Sequence, residues 1–229
     1  MWWADPVQIT RIGHSCLLVE TRGARLLVDP GGFTPGWEEL SGLDAVFVTH
    51  EHPDHLDRDR LPALLERNPR ARLITEPGVA GQLSGAVQRD VEALQAGATA
   101  TVGAVTVGGL GGQHAVIHQD IPRIGNVGLL FTADGEPTLF HPGDMIDTVP
   151  EGVDVLAVPL NAPWCAAKET ATFLRAVAAP AALPIHDAML SPNGRATYLR
   201  VLGGLLPEAT EFADAPDGAP VPLPSRNLP

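Results

Sequence analysis

Hydrophobic residues along this chain come in short runs, each closed by glycine or by a charged turn. Residues 7–12, 16–20 and 25–28 read as three strands in succession, separated by Gly13-His14 and by Arg22-Gly23. Ala45-Val46-Phe47-Val48 is wholly apolar and of strand length, the pattern of a strand buried on both faces. Leu61, Leu64 and Leu65 fall at helical spacing and predict a helix over 58–66, with Asp57 ahead of it as N-cap. A strand at 71–75, a short helix at 79–83 and strands at 99–102 and 105–107 follow. The second half repeats the habit. Strands at 127–132 and 138–140 flank an Asp134-Gly135 turn, 155–158 and 181–185 are buried runs, and helices fit 169–177 and 195–206. The pattern predicts one layered α/β domain over residues 1–212, with an edge segment and Pro-rich tail at 213–229.

Composition narrows the function more than the fold. With 229 residues and 45% hydrophobic content, the chain builds one sizeable core rather than two. No run reaches the roughly 18 apolar residues that span a bilayer, and Met1-Trp2-Trp3-Ala4-Asp5 has neither a basic nor an apolar leader segment. Cys16 and Cys165 stand far apart, outside any metal or redox spacing, as small buried hydrophobes of a reducing compartment would. A soluble cytoplasmic protein is expected, with no membrane partner and a homo-oligomer left open. A net charge of −12 repels polyanions, so no nucleic-acid partner is expected.

The candidate chemistry starts where the buried strand ends. His50-Glu51-His52-Pro53-Asp54-His55 places three imidazoles and a carboxylate directly after Thr49. Such a set, anchored by a rigid strand, reads as a metal site. His50 and His52 can clamp one ion from one side, and Asp54 and His55 can reach a second. Other polar residues follow the same habit of closing an apolar run or a glycine pair: His114 after Gly111-Gly112-Gln113, Asp144 in His141-Pro142-Gly143-Asp144, and His186 in Pro184-Ile185-His186-Asp187. His114 and His118 lie four apart, and only one is expected to bind metal.

These blocks, with Gly13-His14-Ser15 and Asp29-Pro30 upstream, resemble the metallo-β-lactamase superfamily and its His-x-His-x-Asp-His signature. The opening Gly-His-Ser is most similar to the branch of ascorbate-phosphate lactonases and their relatives. The resemblance implies a four-layer αββα sandwich with mostly antiparallel sheets and a metal cleft along one edge. It also implies two divalent cations: His50, His52 and His114 hold the first, Asp54, His55 and His186 the second, and Asp144 bridges them. Zinc suits these nitrogen ligands, with manganese or iron as alternatives.

The implied activity is hydrolysis, in which a hydroxide shared by the cations attacks a small anionic ester, lactone or phosphodiester. Asp54 would hold that hydroxide, and His118 or His141 would protonate the leaving group. Asp29 is expected to orient a metal-bound imidazole from behind, His14 either hydrogen-bonds a ligand, reaches the substrate or makes a structural bond inside the sheet, and Arg11, Arg123 and Lys168 are candidate anion contacts. A nuclease of the same superfamily is one alternative, and a non-hydrolytic redox or sensor protein is another.

Overall fold

The computed structural model describes residues 7–223. The Met1 to Asp5 start and the last six residues of the tail lie outside them. Fourteen strands form two seven-stranded sheets. The first runs β14(Ala219–Pro220), β1(Gln8–Gly13), β2(Cys16–Thr21), β3(Ala24–Val28), β4(Ala45–Val48), β5(Arg72–Thr75), β6(Val91–Ala93). The second runs β13(Glu211–Phe212), β12(Ala181–Ile185), β11(Val155–Pro159), β10(Leu139–His141), β9(Gly125–Thr132), β8(Val105–Gln113), β7(Thr99–Val102).

Pairing changes sense midway through each sheet. β14, β1, β2 and β3 pair antiparallel and β3 to β6 pair parallel. In the second sheet β7 to β10 pair antiparallel and β10 to β13 parallel. The sheets are therefore mixed, where the sequence reading expected mostly antiparallel pairing. The cause lies in the connections: crossovers, α-helical in four of the six cases, return the chain to the same end of the sheet and make the neighbours parallel.

Alternation assigns the layers. Leu17, Val19, Leu26 and Phe47 of the first sheet meet Val107, Leu129, Phe131 and Ala157 of the second in the central core. The opposite face of the first sheet, with Leu18, Leu27, Val46 and Leu73, packs on α1(Leu61–Arg67) and α2(Pro77–Leu83). The opposite face of the second, with Phe140, Leu156 and Val158, packs on α3(Ala167–Val177) and α4(Pro192–Gly203). This is the αββα sandwich.

Helix α4 starts three residues earlier than its apolar pattern suggests, because Ser191 accepts the Gly194 amide and Pro192 occupies the first turn. Asp57 does accept the Asp59 and Arg60 amides, but the chain turns once more before α1 begins at Leu61. Strand β6 escapes the sequence reading because it is short and mostly exposed, so it lacks the apolar run that marks its neighbours. The edge segment supplies β14, which pairs with β1.

Candidate metal centre

The two sheets are stitched together at one edge, and the histidines gather there. Val127 of β9 donates its amide to the Thr49 carbonyl at 2.9 Å, and the His186 amide reaches the His14 carbonyl at 3.1 Å. His141, at the end of β10, crosses to the Ser15 carbonyl at 2.9 Å. Each bond joins a strand end of one sheet to a loop of the other, so the loops between them share one cleft.

Within that cleft two groups of side chains converge, each with its ligand atoms within 4.8 Å of one another. The first is His50, His52, His114 and Asp144, and the second is His14, Asp54, His55 and His186. Asp144 faces both. Its Oδ1 lies 3.0 Å from His55 Nε2, while Oδ2 lies 3.2 Å from His114 Nε2, 3.4 Å from His186 Nε2 and 3.7 Å from His50 Nε2. Ligands about 2 Å from a tetrahedral ion stand about 3.3 Å from each other, so these separations suit nitrogen and oxygen atoms gathered round cations.

Hydrogen bonds behind the rings set which nitrogen faces inward. The Thr49 hydroxyl donates to Asp29 Oδ2, which leaves its oxygen to accept from His50 Nδ1 at 3.0 Å. His55 Nδ1 donates to Asp29 Oδ2 at 2.7 Å, His114 Nδ1 to the Ala115 carbonyl at 2.7 Å and His186 Nδ1 to the Asn161 carbonyl at 2.7 Å. With a proton fixed on Nδ1, all four rings turn Nε2 toward the cleft. His14 is the opposite case. Its Nδ1 accepts the Ala188 amide at 3.3 Å, so its Nε2 carries the proton and donates to Asp54 Oδ2 at 3.1 Å. His14 therefore orients Asp54 and offers no lone pair to an ion.

Three observations show that this set fits metal ions. His55 Nε2, His186 Nε2 and Asp144 Oδ1 are buried without a well-aligned hydrogen bond, although Asp144 Oδ1 stands 3.0 Å from His55 Nε2, an arrangement that coordination would satisfy. His50 Nε2 and His52 Nδ1 face each other at 3.1 Å, two basic atoms that a shared cation would reconcile. Backbone strain also concentrates here: His14 (φ 46°), Asp29 (φ 47°) and His186 (φ 58°) are three of five non-glycine residues with left-handed backbone.

Glycines allow the close approaches. A side chain at Gly31 would overlap the Asp54 carbonyl at 1.7 Å, and one at Gly143 (φ 60°) would meet Asn126 Oδ1 at 2.3 Å. Asn126 needs that position, because it accepts the Asp144 amide and donates to the Pro142 carbonyl, holding the Asp144 turn.

The protonation pattern divides the cleft. Burial drives the His50 pKa well below its ordinary value, with His55 adding repulsion, and burial lowers His52 and His14 as well. Burial also works against charge on His55 and His186, but Asp144 and Asp29 overcome it and raise His55, while Asp144 and Asp54 lift His186 to about 9. Burial likewise opposes ionisation of the carboxylates. Asp54 is nonetheless held far below the usual range by His14 and His186, and Asp144 by His55, His50 and His186.

Some residues fall elsewhere. His118 sits on the exposed loop after β8, its side chain 60% accessible and paired with Asp120, away from both groups. His141 is fully buried with Nε2 on Ser15 and Nδ1 accepting the Gly143 amide, so neither nitrogen is free to pass a proton. The catalytic roles expected for His118 and His141 are corrected accordingly: one is a loop residue and the other a pin between the sheets. Arg11 is buried against Asp187 (2.6 Å) and Asp217 (2.8 Å), and Lys168 lies exposed on α3. Cys165 turns to Thr170 under α3, and Cys16 is buried.

The sequence reading missed Trp164, whose indole donates to Asp144 Oδ2 at 2.9 Å and stands edge-on to His114 and His186. It also missed Asn161, whose carbonyl fixes His186 while Tyr198 holds its amide side chain. Asp187 is clamped by Arg11 and Arg195, both at 2.6 Å, which secures the chain next to His186. The signal that could have found Trp164 is a large amphipathic aromatic in the loop just after the apolar run of β11.

Fold and cleft together define a class, and comparison with known proteins gives the same one. The family model described as beta-lactamase superfamily domain matches residues 8–186, and the chain belongs to that metallo-β-lactamase superfamily. It is 45% identical to Protein Rv0786c of Mycobacterium tuberculosis over 193 residues, covering 84% of this chain and 89% of that protein. It is 26% identical to a UPF0173 metal-dependent hydrolase of Methylobacterium nodulans over 203 residues, covering 79% and 84%. Among solved structures, the metallo-beta-lactamase fold protein YhfI of Bacillus subtilis superposes with a TM-score of 0.72 at 19% identity, covering 94% of this chain and 98% of that one, a likeness of fold.

Proposed function

We propose that the chain is a binuclear metal-dependent hydrolase of small esters, lactones or phosphodiesters, with zinc the cation favoured by nitrogen-rich ligation and manganese or iron as alternatives. The observation that carries this reading is Asp144, one buried carboxylate facing two histidine groups whose ring nitrogens point inward. His50, His52, His114 and Asp144 would hold one ion, and Asp54, His55, His186 and Asp144 the other. When bound, such cations acidify water near neutral pH and stabilise the oxyanion of the reacting group.

The chain's own residues then divide the work. Two carboxylates against two divalent charges leave the cleft positive, which draws an electron-rich or anionic substrate despite the −12 of the whole chain. Asp54, at 17% side-chain exposure the more open of the two carboxylates, would accept a hydrogen bond from the attacking water and so orient it. His14 keeps Asp54 ionised and aimed. Among the described residues no helix is long and apolar enough to cross a membrane, and two free buried cysteines suit a cytoplasmic protein.

Asp54→Asn tests the reading. It should keep the fold and lower kcat by about two orders of magnitude or more in protein still carrying metal. Near-normal turnover in a metallated variant contradicts the role. RNA or DNA cleavage without small-ester activity would move the assignment to a nuclease, and a redox-active spectrum without hydrolysis to a sensor.

A further inference from the structure

Among the described residues six large hydrophobic side chains are exposed, and two of them stand beside the histidines of the metal cleft. Phe33 (49% exposed) lies with its ring 5.3 Å from that of His14. Ile121 (47%) lines a cavity of about 110 Å³ with Ile117, Pro122 and Ile124, whose walls also include His52 and His114. Single exposed hydrophobes scatter over any surface, but a concave apolar cluster beside reactive groups marks a ligand subsite.

The loop that builds this cavity is fixed at its base. The His114 amide donates to the Ile124 carbonyl at 3.0 Å, and Arg123 Nε donates to the His114 carbonyl at 2.7 Å. The loop is thereby closed on itself, as compact surface loops that carry function are. The same bonds hold the Arg123 guanidinium along the wall, with Asp147 3.7 Å from its outer nitrogen. Arg123 thus shares the wall with the isoleucines, its guanidinium directed to the His114 carbonyl and toward Asp147.

We infer that the loop from His114 to Ile124 forms a specificity subsite for an uncharged aliphatic substituent, carried on the substrate next to the bond that is cleaved. The inference rests on the hydrolase reading and adds to it the substrate class: short-chain alkyl esters or alkyl lactones rather than substrates charged on both sides of the reacting carbon. An apolar cavity of about 150 Å³ accommodates benzene, so this one takes about four carbons.

The test uses γ-lactones bearing hydrogen, methyl, ethyl, propyl, hexyl or carboxyethyl substituents, assayed by proton release with the zinc-loaded enzyme. The matching unreactive γ-lactams are titrated in parallel, with isoleucine methyl NMR as the readout, both with metal and after chelation. Each added methylene should raise kcat/KM by about fourfold up to propyl, with no further gain at hexyl. The propyl lactam should shift the Ile117, Ile121 and Ile124 methyls in both metal states. Ile121→Asp, an exposed change, should flatten the series and the shifts, and Ile117→Ala should move the optimum to longer chains. Lactam binding at these methyls without turnover of any lactone upholds the subsite and defeats the hydrolase reading. Turnover that ignores chain length, a preference for the carboxyethyl lactone, or lactam shifts confined to other isoleucines overturns the subsite while leaving hydrolysis intact.

Discussion

The two histidine groups share Asp144 yet are built on different terms. The group of His14, Asp54, His55 and His186 is held by strained backbone at His14 and His186, by Asp29 behind His55, and by the Arg11–Asp187–Arg195 clamp next to His186. The group of His50, His52 and His114 uses rings that burial keeps uncharged or that hydrogen-bond to their own strand ends, and it opens onto the half-buried His52 and the apolar loop. One group is rigid and carries protons that a cation must displace. The other is more open and borders the apolar loop. Strain and buried charge are tolerated where geometry must not drift, and accessibility is kept where a ligand must enter.

The sharpest way to break this contrast is to remove what the groups share. Asp144→Ala should take metal from both and lower kcat/KM by about three orders of magnitude, because the carboxylate that faces both ions is lost. Metal analysis and kinetics on the same preparation check it. Retention of two ions per chain would show that Asp144 does not join the groups.

A milder change separates them. Asp29→Asn keeps the size of the side chain but weakens its bonds to His55 and Thr49, so it should cost roughly 10- to 100-fold in affinity at the rigid group. Competition with a chromogenic chelator should show the larger loss at the site of His55, which Asp29 meets directly, and a smaller one at the site of His50, which it reaches through Thr49.

The protons of the rigid group give a pH test. His186 has a folded pKa of about 9 against an ordinary 6.5, and His55 is raised in the same direction. Protonation of these rings thus contributes stability to chelator-treated protein that is fully present below pH 6.5 and lost as pH rises through about 9. His14, His50 and His52, with lowered values, titrate below that window and do not blur it. Thermal scans should show the melting temperature of stripped protein falling between pH 6.5 and 9, and metal affinity rising as fewer protons need displacing. A flat profile would mean these rings are already neutral.

The smallest effect is expected at His118. Since it stands exposed on the loop, His118→Ala should keep two ions and change kcat by less than about twofold. A tenfold loss would return it to the catalytic set.

Why the histidine-rich loop was legible in the sequence and other parts were not follows from where each residue gets its direction. β4 and β12 are unbroken apolar runs that empty into His50 and His186, so strand length and chemistry point the same way. The layers were equally legible, because alternation assigns one face of β2 and β3 to the central core and the other to the helices. Trp164 depends instead on a contact between residues far apart in the chain, its indole on Asp144 Oδ2. Spacing cannot express that. The resemblance chose His114 over His118, and the physical reason is where β8 ends: the chain turns at the His114–Ile124 bond and carries His118 outward. His141 misled because its position, a polar residue closing an apolar strand, matches that of His186, while its ring points back into the seam between the sheets.

The central claim is that one cleft holds two ions in unlike groups, and metal stoichiometry during stepwise removal tests it most directly. Elemental analysis of zinc-loaded protein titrated with a chelator should give two ions per chain that leave in two separated steps, and His114→Ala should abolish one step and leave the other in place. A single ion, or two that leave together in both proteins, would contradict the account.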